Sequence, residues 1–158
     1  MWRSIVLTCA GVVFFTLLLW ITGIARNPVD VGKQTGGEAN ASQETIYLNG
    51  AAIRVTVVDT PELRQKGLSG RGGLEPDEGM LFVFPEDGVY AFWMKDMLFS
   101  IDIVWISAEG KIVHIAKSVS PSTYPTSFEP PLPVRYVLEL PAGYTDQHKI
   151  AIGDIVRL

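Results

Sequence analysis

The stretch TIYLNGAAIRVTVV, residues 45–58, decides the fold class of this chain. Asn49 and Gly50 separate two strand-like runs, and both residue types readily adopt the positive φ angles of a tight hairpin turn. In the second run, apolar residues such as Ile53 and Val55 alternate with polar ones, which predicts a strand with one buried face. We therefore expect the folded part of the chain to begin as a β-hairpin.

The spacing of the apolar residues changes in DTPELRQKG, residues 59–67. Asp59 or Thr60 can cap a helix at its amino end, and Pro61 suits the first turn. Gly67 can end the helix. One short helix of about two turns is predicted here, too short to be stable without packing.

Six more strand-like runs follow a glycine-rich loop at residues 69–78. They are GMLFVF, VYAFWMKDM, SIDIVWIS and KIVHIAKSV, and then, after a proline-rich loop, VRYVLEL and IAIGDIVRL. Short turns at 85–88 and 108–111 favour antiparallel neighbours. The prediction is a mainly β domain (β-rich α+β), built as a compact antiparallel barrel or sandwich with one short helix, because an open sheet would leave two exposed edges.

The amino-terminal part of the chain indicates a membrane segment before this domain. Residues 5–24 contain no charge, and about 20 helical residues rise about 30 Å, the thickness of the hydrocarbon layer of a bilayer. Trp2 and Trp20 near the ends of the run favour a permanent anchor, whereas the small residues up to Ala25 would fit signal cleavage. Both alternatives stay open for residues 1–25, a signal anchor or a signal peptide.

Either alternative exports the rest of the chain. Residues 26–44 are rich in Gly, Asn and Gln and are predicted to be a flexible linker to a β-rich domain at 45–158. The only cysteine, Cys9, lies in the apolar run, so the domain can form no internal disulfide and has no thiol nucleophile. We expect a cell-envelope protein whose exported domain is anchored by a single pass, or is secreted or periplasmic if the chain is cleaved after Ala25.

The charge balance limits the class of partner. From residue 26 onward, 12 Lys and Arg residues stand against 17 Asp and Glu residues, a formal net charge of −5. This balance lacks the positive field that nucleic-acid-binding proteins use, so no nucleic-acid partner is expected. The expected partners are the membrane, through residues 5–24, and an unidentified small molecule or envelope protein. No cofactor is expected.

Three charges lie in the most apolar stretch of the folded part, AFWMKDMLFSIDIVWI, residues 91–106. Alternation along a strand puts Trp93 and Lys95 on one face and Asp96 on the other. Asp102 lies between isoleucines, so it either points to solvent or is buried with a partner such as Lys95 or a loop arginine. In the second case these side chains would form a small polar site on an aromatic floor.

The chain from Val55 to Leu158 resembles the uncharacterised family known as domain of unknown function 192. The shared landmarks are Thr60 with Arg64, Gly67-Leu68 with Arg71, Gly79-Met80-Leu81-Phe82, Phe92-Trp93-Met94-Lys95, Ile101-Asp102, Gly110, and Val137-Leu138-Glu139-Leu140 with Gly143. The chain departs from the family pattern at Ser69, where Met is common, and at Asp96-Met97, where Asn-Thr is common. The resemblance implies a compact, β-rich, export-associated fold and brings no established reaction, cofactor or partner with it.

Three functions from different classes stay open. The favoured one is an envelope-exposed domain that binds a ligand or partner, because the sequence has no nucleophile motif and no metal motif. Its candidate ligand-binding residues are Arg64, Arg71, Trp93, Lys95, Asp102 and Glu139.

The second function is a carboxylate-based hydrolase of an envelope glycan, with Asp102 and Glu139 as general acid and base. The alternation of VRYVLEL also allows Glu139 simply to face solvent. The third is a copper-handling protein in which the thioethers of Met80, Met94 and Met97 bind Cu(I).

Overall fold

Nine strands and two short helices make up residues 41–158, the part of the chain that this computed structural model describes. The strands are β1 (Ser42–Leu48), β2 (Ala51–Val58), β3 (Glu78–Gly88), β4 (Phe92–Trp93), β5 (Ile101–Ile106), β6 (Ile112–Val119), β7 (Ser127–Phe128), β8 (Val134–Pro141) and β9 (Val156–Arg157). The helices are α1 (Pro61–Lys66) and α2 (Tyr144–Gln147), and a 3-10 turn lies at Pro121–Thr123.

The amino-terminal predictions lie mostly outside the described residues. The expected anchor or signal peptide at 1–25 is one of these, as is most of the linker predicted at 26–44. Strand β1 already begins at Ser42, so the folded domain starts slightly before the predicted position 45. Within residues 41–158, no helix combines the length and the apolar character that a membrane span requires.

Seven strands form one sheet in the order β6-β5-β8-β3-β2-β1-β9, and β4 pairs with β7 in a separate ladder. Strands β2 and β3 are parallel, because α1 and the loop after it carry the chain back along the sheet. The seven-stranded sheet curls into a half-barrel. Its ends meet where Val156 N–H donates to the carbonyl of Gly110 at 2.8 Å and Ile112 N–H donates to that of Asp154 at 2.9 Å.

The prediction of a mainly β domain is therefore confirmed, and two details of it are corrected. The sheet is curled into a half-barrel. It contains a parallel pair, and residues 41–158 include two short helices instead of one. The parallel pair was missed because strand runs alone do not show which neighbours a strand will find in the sheet.

The local signals around the hairpin and α1 are confirmed. Asn49 and Gly50 turn the chain between β1 and β2 with φ angles of +48° and +81°. The Thr60 side-chain oxygen accepts a hydrogen bond from Leu63 N–H at 3.2 Å and caps α1, and Gly67 ends the helix at a φ of +47°.

Two segments predicted as long strands are largely irregular. Of residues 89–97, only Phe92–Trp93 are strand, and Asp96 turns the chain with a φ of +56°, which Asp tolerates better than most residues. Of residues 150–158, only Val156–Arg157 are strand, paired with β1. The predictions were wrong because an apolar run does not need to be a paired strand. Only a few apolar residues of the two segments are buried against the sheet, namely Met94, Met97, Ile150 and Val156, and the rest are partly or largely exposed.

Two apolar clusters cover the two faces of the sheet. One face, called the α2 face here, includes Leu81, Val104, Leu138 and Leu140, and Tyr144 of α2 packs on it. The other, called the cavity face, includes Met80, Phe82, Ile103, Trp105 and Val137. Because the central strands β5 and β8 are buried on both faces, neighbouring residues on them have entirely different surroundings.

Gly110 lies where the two ends of the sheet meet, and it has a φ of +79°. A Cβ atom there would lie 2.7 Å from the carbonyl oxygen of Val156, which is too close for contact. We expect Gly110→Ala to lower the free energy of unfolding by about 2 kcal/mol, through backbone strain at positive φ together with this clash. Urea unfolding monitored by tryptophan fluorescence measures the loss.

The matched control for this substitution is Gly50→Ala. Gly50 has nearly the same φ, +81°, but no atom lies within 4 Å of its Cβ position. This variant should therefore show the strain alone, about 1 kcal/mol. Equal losses for the two variants would mean that the contact between Gly110 and Val156 adds nothing to stability.

Candidate functional site

A cavity of about 670 Å³ opens on the cavity face, between α1 and the chain around β4. Its size lies within the range of small-molecule sites, roughly 300–1,000 Å³. Its aromatic lining residues are Phe82, Phe84, Tyr90, Phe92 and Trp93. Its charged lining residues are Arg64, Lys66, Lys95, Asp96 and Glu139.

Glu139 faces this cavity because of its register on β8. It lies opposite Met80 of β3 and Ile103 of β5, both of which belong to the cavity face. Only 5% of its surface is exposed, so the interpretation of Glu139 as a solvent-facing residue is wrong.

Among residues 41–158, no ion pair and no hydrogen bond to Oε2 compensates the burial of the Glu139 carboxyl. Its Oε2 atom is buried and has no hydrogen-bond partner, and among the described residues Glu139 takes part in no ion pair. Desolvation disfavours the charged form and raises the pKa of Glu139 from 4.5 to about 8. The carboxyl is therefore largely protonated and uncharged at neutral pH.

The nearby cations are engaged elsewhere or exposed. The Arg64 guanidinium donates from Nη1 to the carbonyl oxygens of Asp59 and Val83, and it lies over the ring of Phe84 at 5.1 Å. Lys66 and Lys95 are exposed. This arrangement leaves positive charge near the cavity while Glu139 keeps no ionic partner.

The aromatic walls are held in place by contacts with one another. The rings of Phe82 and Phe92 meet edge to face at 4.8 Å between centroids, and Phe92 packs in the same way on the buried Trp105 at 6.2 Å. Trp93 is 56% exposed and lies 6.0 Å from the ring of Tyr124. The cavity thus combines a fixed aromatic interior with an exposed tryptophan.

Asp102 is fully buried, but on the α2 face, because it lies opposite Leu140 of β8. Its carboxylate accepts hydrogen bonds from the backbone N–H groups of Ser118 at 2.7 Å, Gly143 at 3.1 Å and Thr145 at 2.9 Å. The hydroxyl of Thr145 donates a fourth at 2.7 Å. These four donors satisfy Asp102, so neither solvent exposure nor a pairing with Lys95 or a loop arginine is observed.

Asp102 and Glu139 cannot act as one acid–base pair. Residues opposite each other on adjacent strands share a face, and Asp102 pairs with Leu140 whereas Glu139 pairs with Ile103. The two carboxyl groups consequently lie on opposite faces of the sheet. The geometry expected of a two-carboxylate hydrolase is not formed.

The other predicted residues divide between the cavity and its surroundings. Trp93 and Lys95 line the cavity together with Arg64 and Glu139. Arg71 does not line it, and instead donates to a carboxylate oxygen of Glu78 at 3.0 Å.

The three methionines considered for copper are all buried in the apolar cluster of the cavity face. A turn at residues 94–97 directs both Met94 and Met97 inward. Met80 is 4% exposed and belongs to the same cluster. Within residues 41–158, no group of three or more His, Cys, Asp and Glu side chains could hold a metal ion.

Several lining residues were missed at the level of sequence. They are Gln65, Lys66, Phe82, Phe84 and Tyr90. The signal for Phe82 and Phe84 was present, since they alternate with Leu81 and Val83 along β3 and so share a face. The cavity lies on this face because α1 folds over it, which the alternation along β3 does not show.

The family profile DUF192, described as "Uncharacterized ACR", matches residues 44–158. The chain belongs to the DUF192 family. The resemblance noted in the sequence is thus confirmed, and the family is one of unknown function. No curated protein matches the chain.

The solved structures that resemble this DUF192 domain include the following two. A Sinorhizobium meliloti 1021 protein, provisionally described as a transcription regulator, is 31% identical with a TM-score of 0.71, and the match covers 77% of this chain and 97% of that one. A protein of unknown function from Novosphingobium aromaticivorans DSM 12444 is 24% identical with a TM-score of 0.72, covering 77% and 89%. The second likeness shows the fold alone.

Proposed function

We propose that this DUF192 domain binds a small organic molecule in the cavity, with Glu139 as the polar group that orients it. The observation behind the proposal is the buried Glu139 carboxyl, whose Oε2 lacks a hydrogen-bond partner. Burying such a group unpaired costs free energy, and a ligand that bonds to it relieves that cost. Apolar walls with a few polar groups are typical of small-molecule sites.

Trp93 and Lys95 supply the exposed part of the same site. Trp93 offers an aromatic surface on which part of a ligand can stack, and Lys95 offers a donor to an anionic or hydroxyl group. Arg64 adds positive charge, although its Nη1 donors are committed to backbone carbonyls.

The proposed cellular setting rests on the sequence of the amino-terminal part. The uncharged run at residues 5–24 would tether the domain to a membrane or export it, so the ligand would be met in the cell envelope. The net charge of −5 after residue 25 argues against nucleic acid as the partner, whatever the role of the Sinorhizobium meliloti protein.

A thermal-shift screen of the full chain in detergent tests the proposal. Sugars, organic acids, phosphates, nucleotides and amino acids form the panel. A ligand present at 100 times its dissociation constant adds about 2.7 kcal/mol to the free energy of unfolding, which raises the melting temperature by several degrees. We expect a hit whose shift is lost in Glu139→Gln and reduced in Trp93→Ala.

Glu44→Gln is the matched control, because Glu44 is exposed on β1 and does not line the cavity. It should keep the full ligand-induced shift. The proposal fails if no compound in the panel shifts the melting temperature, or if every hit shifts Glu139→Gln and the unaltered chain equally.

A further inference from the structure

The titratable groups that line the cavity differ with depth, with an acid inside and mostly cations outside. Glu139 is buried and acidic, whereas the exposed charges of the lining are Lys66, Lys95 and Asp96, joined by the partly buried Arg64. Three cations against one acid make the outer part of the cavity positive. The inner part contains a single acidic group surrounded by apolar and aromatic side chains.

We infer that the ligand is a small zwitterion, whose ammonium group bonds to Glu139 and whose anionic group lies at the outer, positive part of the cavity. This inference rests on the proposed function, because it names the class of ligand for the same site. The ammonium group of this ligand carries N–H donors, as in a free amino acid.

The unpartnered Oε2 atom is the reason for an ammonium group. An ammonium group supplies N–H donors and a positive charge together, so it satisfies the oxygen and also compensates the ionised carboxylate. None of the described cations does this, since Glu139 takes part in no ion pair. The aromatic rings of Phe82 and Phe92 in the same lining favour a cation further.

The outer cations are the reason for an anionic group at the other end. A simple amine would have to pass Arg64, Lys66 and Lys95, and it would leave their charge without a partner in the ligand. A carboxylate or phosphate joined to the amine by a short chain removes this repulsion and accepts hydrogen bonds from the exposed lysines.

Binding of a zwitterion should release a proton. In the unliganded protein the raised pKa of Glu139, about 8, keeps its carboxyl protonated at pH 7. The ammonium group arrives charged and stays charged, so Glu139 loses its proton to solvent as the ion pair forms. The other titratable groups in the lining are Arg64, Lys66, Tyr90, Lys95 and Asp96.

The experiment uses two kinds of probe. The first kind is the series of ω-amino acids with two to six carbons, and the second is the matching series of fatty acids in which CH₃ replaces NH₃⁺. Isothermal titration calorimetry with the full chain in detergent measures affinity. A pH-stat at pH 7 measures the protons released for each ligand bound, since the probes themselves do not titrate there.

We expect at least one ω-amino acid to bind ten times more tightly or better than its fatty-acid counterpart, with release of close to one proton. Glu139→Gln should weaken that binding at least tenfold and abolish the proton release. Lys95→Ala should weaken it several-fold and leave the proton release unchanged, because Lys95 contacts only the anionic end.

The possible contrary results separate this inference from the proposed function. Fatty acids that bind as tightly as the amino acids, without proton release, would overturn the zwitterion and leave the cavity as a binding site. Amino-acid binding that Glu139→Gln does not weaken would also overturn it. If no ω-amino acid binds at 10 mM, the inference fails, whereas the proposed function fails only with the broader screen.

Discussion

Replacing Asp102 by Ala is expected to lower the free energy of unfolding by about 4 kcal/mol. The carboxylate accepts four hydrogen bonds at 2.7–3.1 Å, three from backbone N–H groups and one from the Thr145 hydroxyl. Alanine would leave all four donors without this partner at a site where both Asp102 and Thr145 are fully buried. Urea unfolding at pH 7 measures the loss.

The loss has a structural cause that the same experiment can locate. Asp102 joins β5 to Ser118 at the end of β6 and to the start of α2, so its removal frees α2 from the sheet. Hydrogen exchange should show lost protection at Thr145 N–H and the residues that follow it.

Asp146→Ala is the control for charge alone. Asp146 lies on the same helix and pairs with Lys117, but its side chain is 68% exposed, so we expect a loss below about 1 kcal/mol. A loss of this small size for Asp102→Ala as well would show that water replaces the carboxylate and that Asp102 does not hold α2.

The free energy of unfolding should fall as pH rises from 5 to 8, by about 4 kcal/mol, because of Glu139. The pKa of Glu139 is raised to about 8 in the folded domain, from 4.5 in its ordinary state. Between these two values the unfolded chain binds fewer protons than the folded one, so stability decreases at about 1.4 kcal/mol per pH unit. Above about pH 9 both states are ionised at Glu139, and the decrease stops.

Glu139→Gln isolates this effect, since it keeps the shape of the side chain and cannot ionise. The difference in unfolding free energy between variant and unaltered chain should grow in favour of the variant from pH 5 to 8, and should level off by about pH 9. Other groups with a shifted pKa do not interfere in this pH range. The pKa values of Asp77 and Glu109 are lowered from ordinary values below 5, and the pKa of Tyr144 is raised from 10.0. A flat difference curve would falsify the assignment of Glu139 as a buried, unpartnered acid.

Short-range patterns predicted the local parts of the fold correctly. The Asn49-Gly50 turn, the Thr60 cap and the end of α1 at Gly67 each depend on the φ angles and hydrogen bonds of adjacent residues. Alternation also placed Ile53 and Val55 on a buried face. Such features follow from residues next to one another in the chain, so they can be read without the rest of the structure.

The candidate site was predicted only in part, for a reason that β5 and β8 illustrate. Sequence reasoning singled out Asp102 because it is a carboxylate between isoleucines, and it named Glu139 as a candidate acid or base on an alternating strand. The burial and the partners of each carboxylate depend on which segments cover the two faces of the sheet. The structure gives Asp102 four donors near α2, and it gives Glu139 an aromatic cavity.

The amino-acid sequence by itself determined the family, the mainly β class, the hairpin and the first helix, and it drew attention to the carboxylates. The tertiary structure decided the half-barrel with its parallel pair, the division of Asp102 and Glu139 between opposite faces, and the turn at residues 94–97. Local sequence patterns indicate the φ angles of adjacent residues and the alternation of side chains between the two faces of one strand. The burial of a charge and the partners it finds depend instead on residues far apart in the chain, such as Asp102 and Thr145, which only the folded domain brings together.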